Sequence, residues 1–288
     1  MSEREQRDFR GKILEHLPLA KAPDSIWPSI EAALDQKRVP APSRVSPWRW
    51  AFAAAAAMVL LALLYWRVTH RSQWIETDDH SRVTVKVGEI GSVEVEPGTR
   101  LRIVTERPDE HRFALAHGAI RATISAPPKL FFVDTASGTA VDLGCEYALN
   151  ANELGLGLLR VTKGWVSFQW KGMESLVPAG ASCRTHPGTG PGIPYFDDAP
   201  ESLKQALENF GNEKDGSATL DVILSAARIR DTLSLWHLLQ RVDVSDRARV
   251  YDRIAALTPV PAGVSRQRAL QLDPATLKLW KDELAWKW

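Results

Sequence analysis

Hydrophobic positions change period several times along the chain. Residues 1–47 are polar at first, with two apolar stripes at helical spacing. The first is Phe9, Ile13, Leu14 and Leu17; the second, after Asp24-Ser25, is Ile26, Trp27, Ile30 and Leu34. Pro28 suits a first helical turn, and Asp24 or Ser25 can cap it. Val39-Pro40-Ala41-Pro42-Ser43-Arg44 then reads as an extended linker. Two short helices bury too little surface to be stable alone. The segment is therefore either a tail with nascent helices or a docking segment that folds on a partner, with Trp27 as anchor and Ile26, Ile30 and Leu34 beside it.

Residues 50–66 contain no charge, and Arg49 and Arg67 bracket them. Seventeen helical residues span about 25 Å, the short end of the range for a membrane helix. Trp48, Trp50, Tyr65 and Trp66 sit at the two ends, where amphipathic rings favour the headgroup level. The pattern predicts one transmembrane helix over 48–67. A signal peptide would lie nearer the N-terminus, and a surface helix would show a polar stripe. Lys37, Arg38, Arg44 and Arg49 precede the block, against Arg67, Arg71 and Arg82 after it. That bias favours a cytoplasmic N-terminus.

From 74 to 187 the period becomes two. Val83, Val85 and Val87 alternate with Thr84 and Lys86, and Val93 and Val95 with Glu94 and Glu96; Leu101 and Ile103 follow. Gly88, Gly91, Pro97-Gly98 and Arg107-Pro108-Asp109 punctuate these runs. Later runs are 113–115, 120–124, 130–133, 140–143, 147–149, 157–161 and 165–170. Such spacing predicts an all-β module, solenoid- or sandwich-like. Residues 188–198, rich in Pro and Gly, read as a linker. Helical stripes then fill 199–288, with Ser217, Asp231 or Thr232, Ser245-Asp246 and Asp273-Pro274 as starts. The fold class is thus multidomain: a tail, a membrane helix, an all-β module and an all-α C-terminal bundle. Trp236, Trp280, Trp286 and Trp288 read as packing residues of that bundle.

Composition narrows function. The chain has 288 residues, 36 Lys+Arg against 35 Asp+Glu, and 44% hydrophobic residues. A net charge of +1 argues against a nucleic-acid surface, and the apolar content against a disordered chain. Its seven His are scattered, and no Gly-rich phosphate loop or nucleophile elbow is present. No catalytic, cofactor or metal site is expected, and the chain does not read as an enzyme.

The β region resembles a known family. Gly88-x-Ile90-x-x-Val93-x-Val95, Pro97-Gly98-Thr99-x-Leu101 and Leu115-x-x-Gly118-x-Ile120 look like the start of the FecR (ferric-citrate-type regulator) domain. Phe132-Val133-Asp134-Thr135-x-x-Gly138-x-Ala140-x-Asp142-Leu143-Gly144-Cys145-x-Tyr147-x-Leu149 and Val161-x-x-Gly164-Trp165-Val166-Ser167-Phe168 continue it. Cys145 stands where the family usually has Thr, and Tyr147 where it has Phe. The resemblance covers about 100 residues. It implies a periplasmic β-module on a single-span inner-membrane protein, with an N-terminal segment that binds an extracytoplasmic-function sigma factor. Two features depart from the archetype: residues 1–47 lack a clear sigma-binding domain, and the C-terminal part is not its small α/β domain. The zinc-type anti-sigma pattern is absent from residues 1–47, which hold only His16.

In that oxidising compartment Cys145 and Cys183 become a disulfide candidate, closing a loop of about 39 residues worth roughly 4 kcal/mol. Cys183-x-x-His186 is a weaker hint of metal ligation. The leading expectation is a membrane-anchored, anti-sigma-like signal transducer that binds a sigma factor through residues 1–47. The alternative is an envelope-anchored scaffold for a protein or glycan partner.

Overall fold

A computed structural model describes residues 23–35, 58–60, 74–210 and 216–288. The chain divides into two compact units, Met1–His70 and Arg71–Trp288. In the first, a 3-10 turn over Asp24–Ile26 leads into helix α1, Trp27–Asp35.

The second unit opens with strands β1 (Trp74–Glu76), β2 (Val83–Val87), β3 (Gly91–Val95), β4 (Arg100–Arg107) and β5 (Glu110–Ile124). Strands β6 (Phe131–Thr135), β7 (Gly138–Asp142), β8 (Glu146–Ala151), β9 (Gly157–Lys163) and β10 (Trp165–Trp170) follow. Then come β11 (Met173–Pro178), β12 (Ala181–His186), β13 (Gly190–Pro191) and β14 (Tyr195–Phe196). One sheet runs β1-β4-β5-β6-β7-β10-β11. The other runs β2-β3-β5-β8-β9-β12, with β13 and β14 both on β12. All pairs are antiparallel except β5 with β6.

The two sheets share β5, and residue 118 is the point of transfer. His117 pairs with Arg100 of β4, whereas Gly118 pairs with Ala151 of β8. Buried positions are 111, 113 and 115 before it and 120, 122 and 124 after it, so the inward face changes parity. Gly118 has φ +96°, and a Cβ there would lie 2.4 Å from Thr99 Cα. Only glycine fits that crossing. At the far edges β11 and the β12-β13 hairpin approach one another, and Ser175 Oγ donates to Gly192 O at 2.8 Å. The result is a barrel-like double sheet around Val93, Leu101, Phe113, Phe131, Leu149 and Phe168, all essentially without exposure.

Helices follow: α2 (Glu201–Asn209), α3 (Gly216–Ala226), α4 (Thr232–Leu239), α5 (Arg247–Leu257), α6 (Arg266–Leu270) and α7 (Pro274–Leu284). They enclose a second core that includes Leu203, Leu220, Leu235, Ile254 and Trp280. Asp273 caps α7 by accepting the Thr276 N–H at 2.8 Å, with Pro274 in the first turn. Asp231 precedes α4 but turns its carboxylate to Arg228 instead. Trp236 and Trp280 are buried, Trp288 is half-buried against both cores, and Trp286 is exposed.

Two expectations change. No helix among the described residues is long and apolar enough to cross a membrane, so the expected transmembrane helix is withdrawn from the fold class. The single-pass inner-membrane placement, with its cytoplasmic N-terminus and bilayer contact, goes with it. Of 48–67 only residues 58–60 are described, as helix; Trp48, Trp50, Tyr65 and Trp66 lie outside the described residues. The segment read as a linker also behaves differently. Residues 190–191 and 195–196 are strands on β12, and Ile193, Tyr195 and Phe196 are buried.

Candidate functional site

The four docking candidates, Ile26 at the end of the 3-10 turn and Trp27, Ile30 and Leu34 on α1, share one exposed face. Ile26, Ile30 and Leu34 repeat every fourth residue and Trp27 sits beside them, with exposures of 40%, 44%, 65% and 58% respectively. Their hydrogen bonds among the described residues are local: Ser29 Oγ donates to Ile26 O at 2.8 Å and the Ile26 N–H to Pro23 O at 3.1 Å. The helix carries Glu31 and Asp35 and no Lys or Arg. It is an apolar, mildly acidic surface, suited to a protein groove and unsuited to phosphates.

The two cysteines are not brought together. Both are free and buried. Cys183 pairs with Leu159 on β9, whereas Cys145 precedes Glu146, which pairs with Lys163. Five residues along the strand and two strand spacings across place them about 19 Å apart. A disulfide needs Cα atoms within about 7 Å, so the expected bridge is corrected. The Cys145 thiol donates instead to Asp142, which also accepts the Gly144 N–H at 2.6 Å. Burial, together with the adjacent Asp142, pushes the Cys145 thiol well above its ordinary range. Burial likewise pushes the Cys183 thiol up to about 11. Neither is a nucleophile at neutral pH. Cys183 and His186 lie three apart on one strand and hence on opposite faces, which removes the metal hint. Among the described residues no His, Cys, Asp and Glu group could hold a metal.

Between β12-β13 and helices α2 and α4 lies a cavity of about 380 Å³ that the sequence pattern did not single out. Its apolar wall includes Met173, Ile193, Leu207 and Phe210; its polar wall includes Arg184, His186, Gln240 and Arg241. Arg184 is paired with Glu208. Arg241 Nη1 donates to Pro191 O at 2.9 Å and Nη2 to Ser175 Oγ at 2.6 Å. Beside it His237 is fully enclosed. Its Nε2 accepts the Leu176 N–H at 3.0 Å, so Nδ1 carries the proton and donates to Leu233 O at 2.9 Å. Burial, reinforced by Arg241 and Lys281, pushes its pKa down to about 3. The sequence signal for this place is the spacing of three and four that puts Ser234, His237 and Arg241 on one side of an otherwise apolar segment.

A wider trough of about 750 Å³ on the other sheet holds Phe132, Trp170, Asp134 and Gln169. Arg112 lies over Phe132 at 4.5 Å and Lys171 over Trp170 at 5.0 Å. Each ring that would stack on a sugar already carries a cation.

No family model and no curated protein matches the chain. Two solved structures from Parabacteroides distasonis, each named a "putative anti-sigma factor", resemble part of it at 16% identity and TM-score 0.39. One covers 54% of this chain and 74% of that chain, the other 53% and 75%.

Proposed function

We propose that the chain is a regulator of the anti-sigma type, and that it holds a sigma factor through the exposed face of α1. The observation that carries this reading is the exposed apolar row of Ile26, Trp27, Ile30 and Leu34. A helix of nine residues is marginal in water, and its apolar face supplies the missing stability only when covered. Burying an aromatic ring and three aliphatic side chains contributes several kcal/mol at about 25 cal/mol per Å². The choice of a sigma factor as occupant rests on the FecR-like order of the β-unit, whose glycines at 88, 98, 118, 138, 144 and 164 all adopt positive φ. The absence of basic side chains from α1 speaks against direct contact with DNA. Regulation of transcription then runs through protein sequestration.

The test uses the full chain, purified sigma factors of the source organism and run-off transcription. One sigma factor binds and loses activity in proportion to the complex formed. Trp27→Ala and Ile30→Asp, changes at exposed positions that leave the fold intact, each weaken binding at least tenfold. Binding of no sigma factor, or equal binding by both variants, overturns the reading.

A further inference from the structure

We propose that the cavity between β13 and α4 is a binding site for a small organic carboxylate with an apolar body, and that the Arg241 guanidinium is its counter-charge. Arg241 has no carboxylate within ion-pair distance among the described residues, unlike its neighbour Arg184, which is spent on Glu208. Its hydrogen-bond partners are neutral: Pro191 O, Ser175 Oγ and, at 3.5 Å, Glu174 O. The nearby Glu174 carboxylate accepts from Ser167 and Gln169 on the neighbouring strand. The Cys183 thiol behind Arg241 is protonated at neutral pH and supplies no negative charge. Arg241 is half-buried, and a partly desolvated cation without a counter-ion carries a cost that proteins ordinarily offset by pairing it.

Guanidinium geometry matches the deficit. Three of its five N–H groups are engaged by Pro191 O, Ser175 Oγ and, at 3.5 Å, Glu174 O, which orient the guanidinium and leave Nε and one Nη1 hydrogen to donate to a carboxylate oxygen. The rest of the chamber selects the body of the ligand. Met173, Ile193, Leu207 and Phe210 form its apolar wall, and about 380 Å³ accommodates an aromatic acid or a short fatty acid. A fully hydrated inorganic anion would leave that wall wet. Among the described lining residues Arg184 and Glu208 carry opposite charges and Arg241 adds one positive charge, which fits a monoanion.

The site is distinct from α1, so its test is independent of sigma-factor binding. The full chain is titrated calorimetrically with phenylacetate and hexanoate, with phenylacetamide and hexanamide as uncharged matches, and with inorganic phosphate. Both carboxylates bind, each at least about tenfold tighter than its amide, the difference expected of a charge-assisted hydrogen bond. Arg241→Gln brings carboxylate and amide to within about threefold of each other. Met173→Trp fills the chamber without touching the guanidinium and abolishes binding; it decides the matter if the Arg241 variant does not fold. Carboxylate and amide binding equally to the unaltered chain overturns the proposal. So does phosphate binding as tightly as either carboxylate, or no carboxylate binding at millimolar concentration.

Discussion

Acidification between pH 6.5 and 4.5 is expected to destabilise the Arg71–Trp288 unit chiefly through one side chain, His237. In the native state its ring is enclosed, one nitrogen donates to Leu233 O and the other accepts from the Leu176 N–H. Protonating Nε2 sets two donors against each other and places a charge beside Arg241 and Lys281. The folded pKa of about 3 lies below the ordinary value of 6.5. The unfolded chain therefore binds the proton first. Stability from the neutral ring is full above 6.5 and is lost as pH falls toward the folded value. At pH 4.5, two pH units below the ordinary value, the loss is on the order of 2–3 kcal/mol. Glu96, Glu110, Asp198 and Asp273 are held below their ordinary range by hydrogen bonds and arginines, so their losses begin lower. Urea unfolding at several pH values measures the slope. His237→Gln keeps an acceptor for the Leu176 N–H and cannot titrate; its stability should be flat across the same window. Equal slopes in both proteins would refute the assignment.

Gly118→Ala should destabilise the fold by about 2–4 kcal/mol in the same assay, because the new Cβ meets Thr99 backbone at a positive φ. An alanine variant as stable as the parent would mean β5 crosses between sheets without that bend. Without reductant, both Cys145 and Cys183 should react with iodoacetamide after denaturation, and prior reduction should not increase the number of labelled thiols. Cys145→Ser preserves a donor to Asp142 and should cost less than Cys145→Ala, which leaves a buried carboxyl short of a partner at about 1–3 kcal/mol. The reverse order would remove the thiol–carboxyl contact from the account.

The strands were legible where one face is buried and the other wet, since alternation then marks the inward side chain. Val93, Val95, Tyr147 and Leu149 follow that rule. Strand β5 was read as two because its buried parity reverses at Gly118, and a parity change looks the same as a turn. β13 and β14 escaped because they pair through backbone groups in a Pro/Gly-rich stretch, where no alternation can develop over two residues.

Helix α4 shows why the helical layer and its cavity could not be read as a separate bundle. All eight of its residues are buried, so it has no exposed face and no hydrophobic stripe to detect. Leu235, Leu238 and Leu239 enter the helical core, while Leu233 enters the core of the double sheet. Its polar side chains form the seam between them. Ser234 donates to Pro194 O at 2.7 Å, His237 accepts from Leu176, and Arg241 reaches Ser175. Residues 237 and 241 are one turn apart on the helix and meet neighbouring residues of β11, more than 60 positions earlier. Each buried polar group is thus satisfied only when helix and sheet are both formed. A neutral histidine and an unpaired arginine in such a seam exact a stability cost that two leucines would not. The histidine recovers its cost through two backbone bonds, and the arginine, with neutral acceptors alone, retains the deficit that a carboxylate in the adjoining cavity would remove.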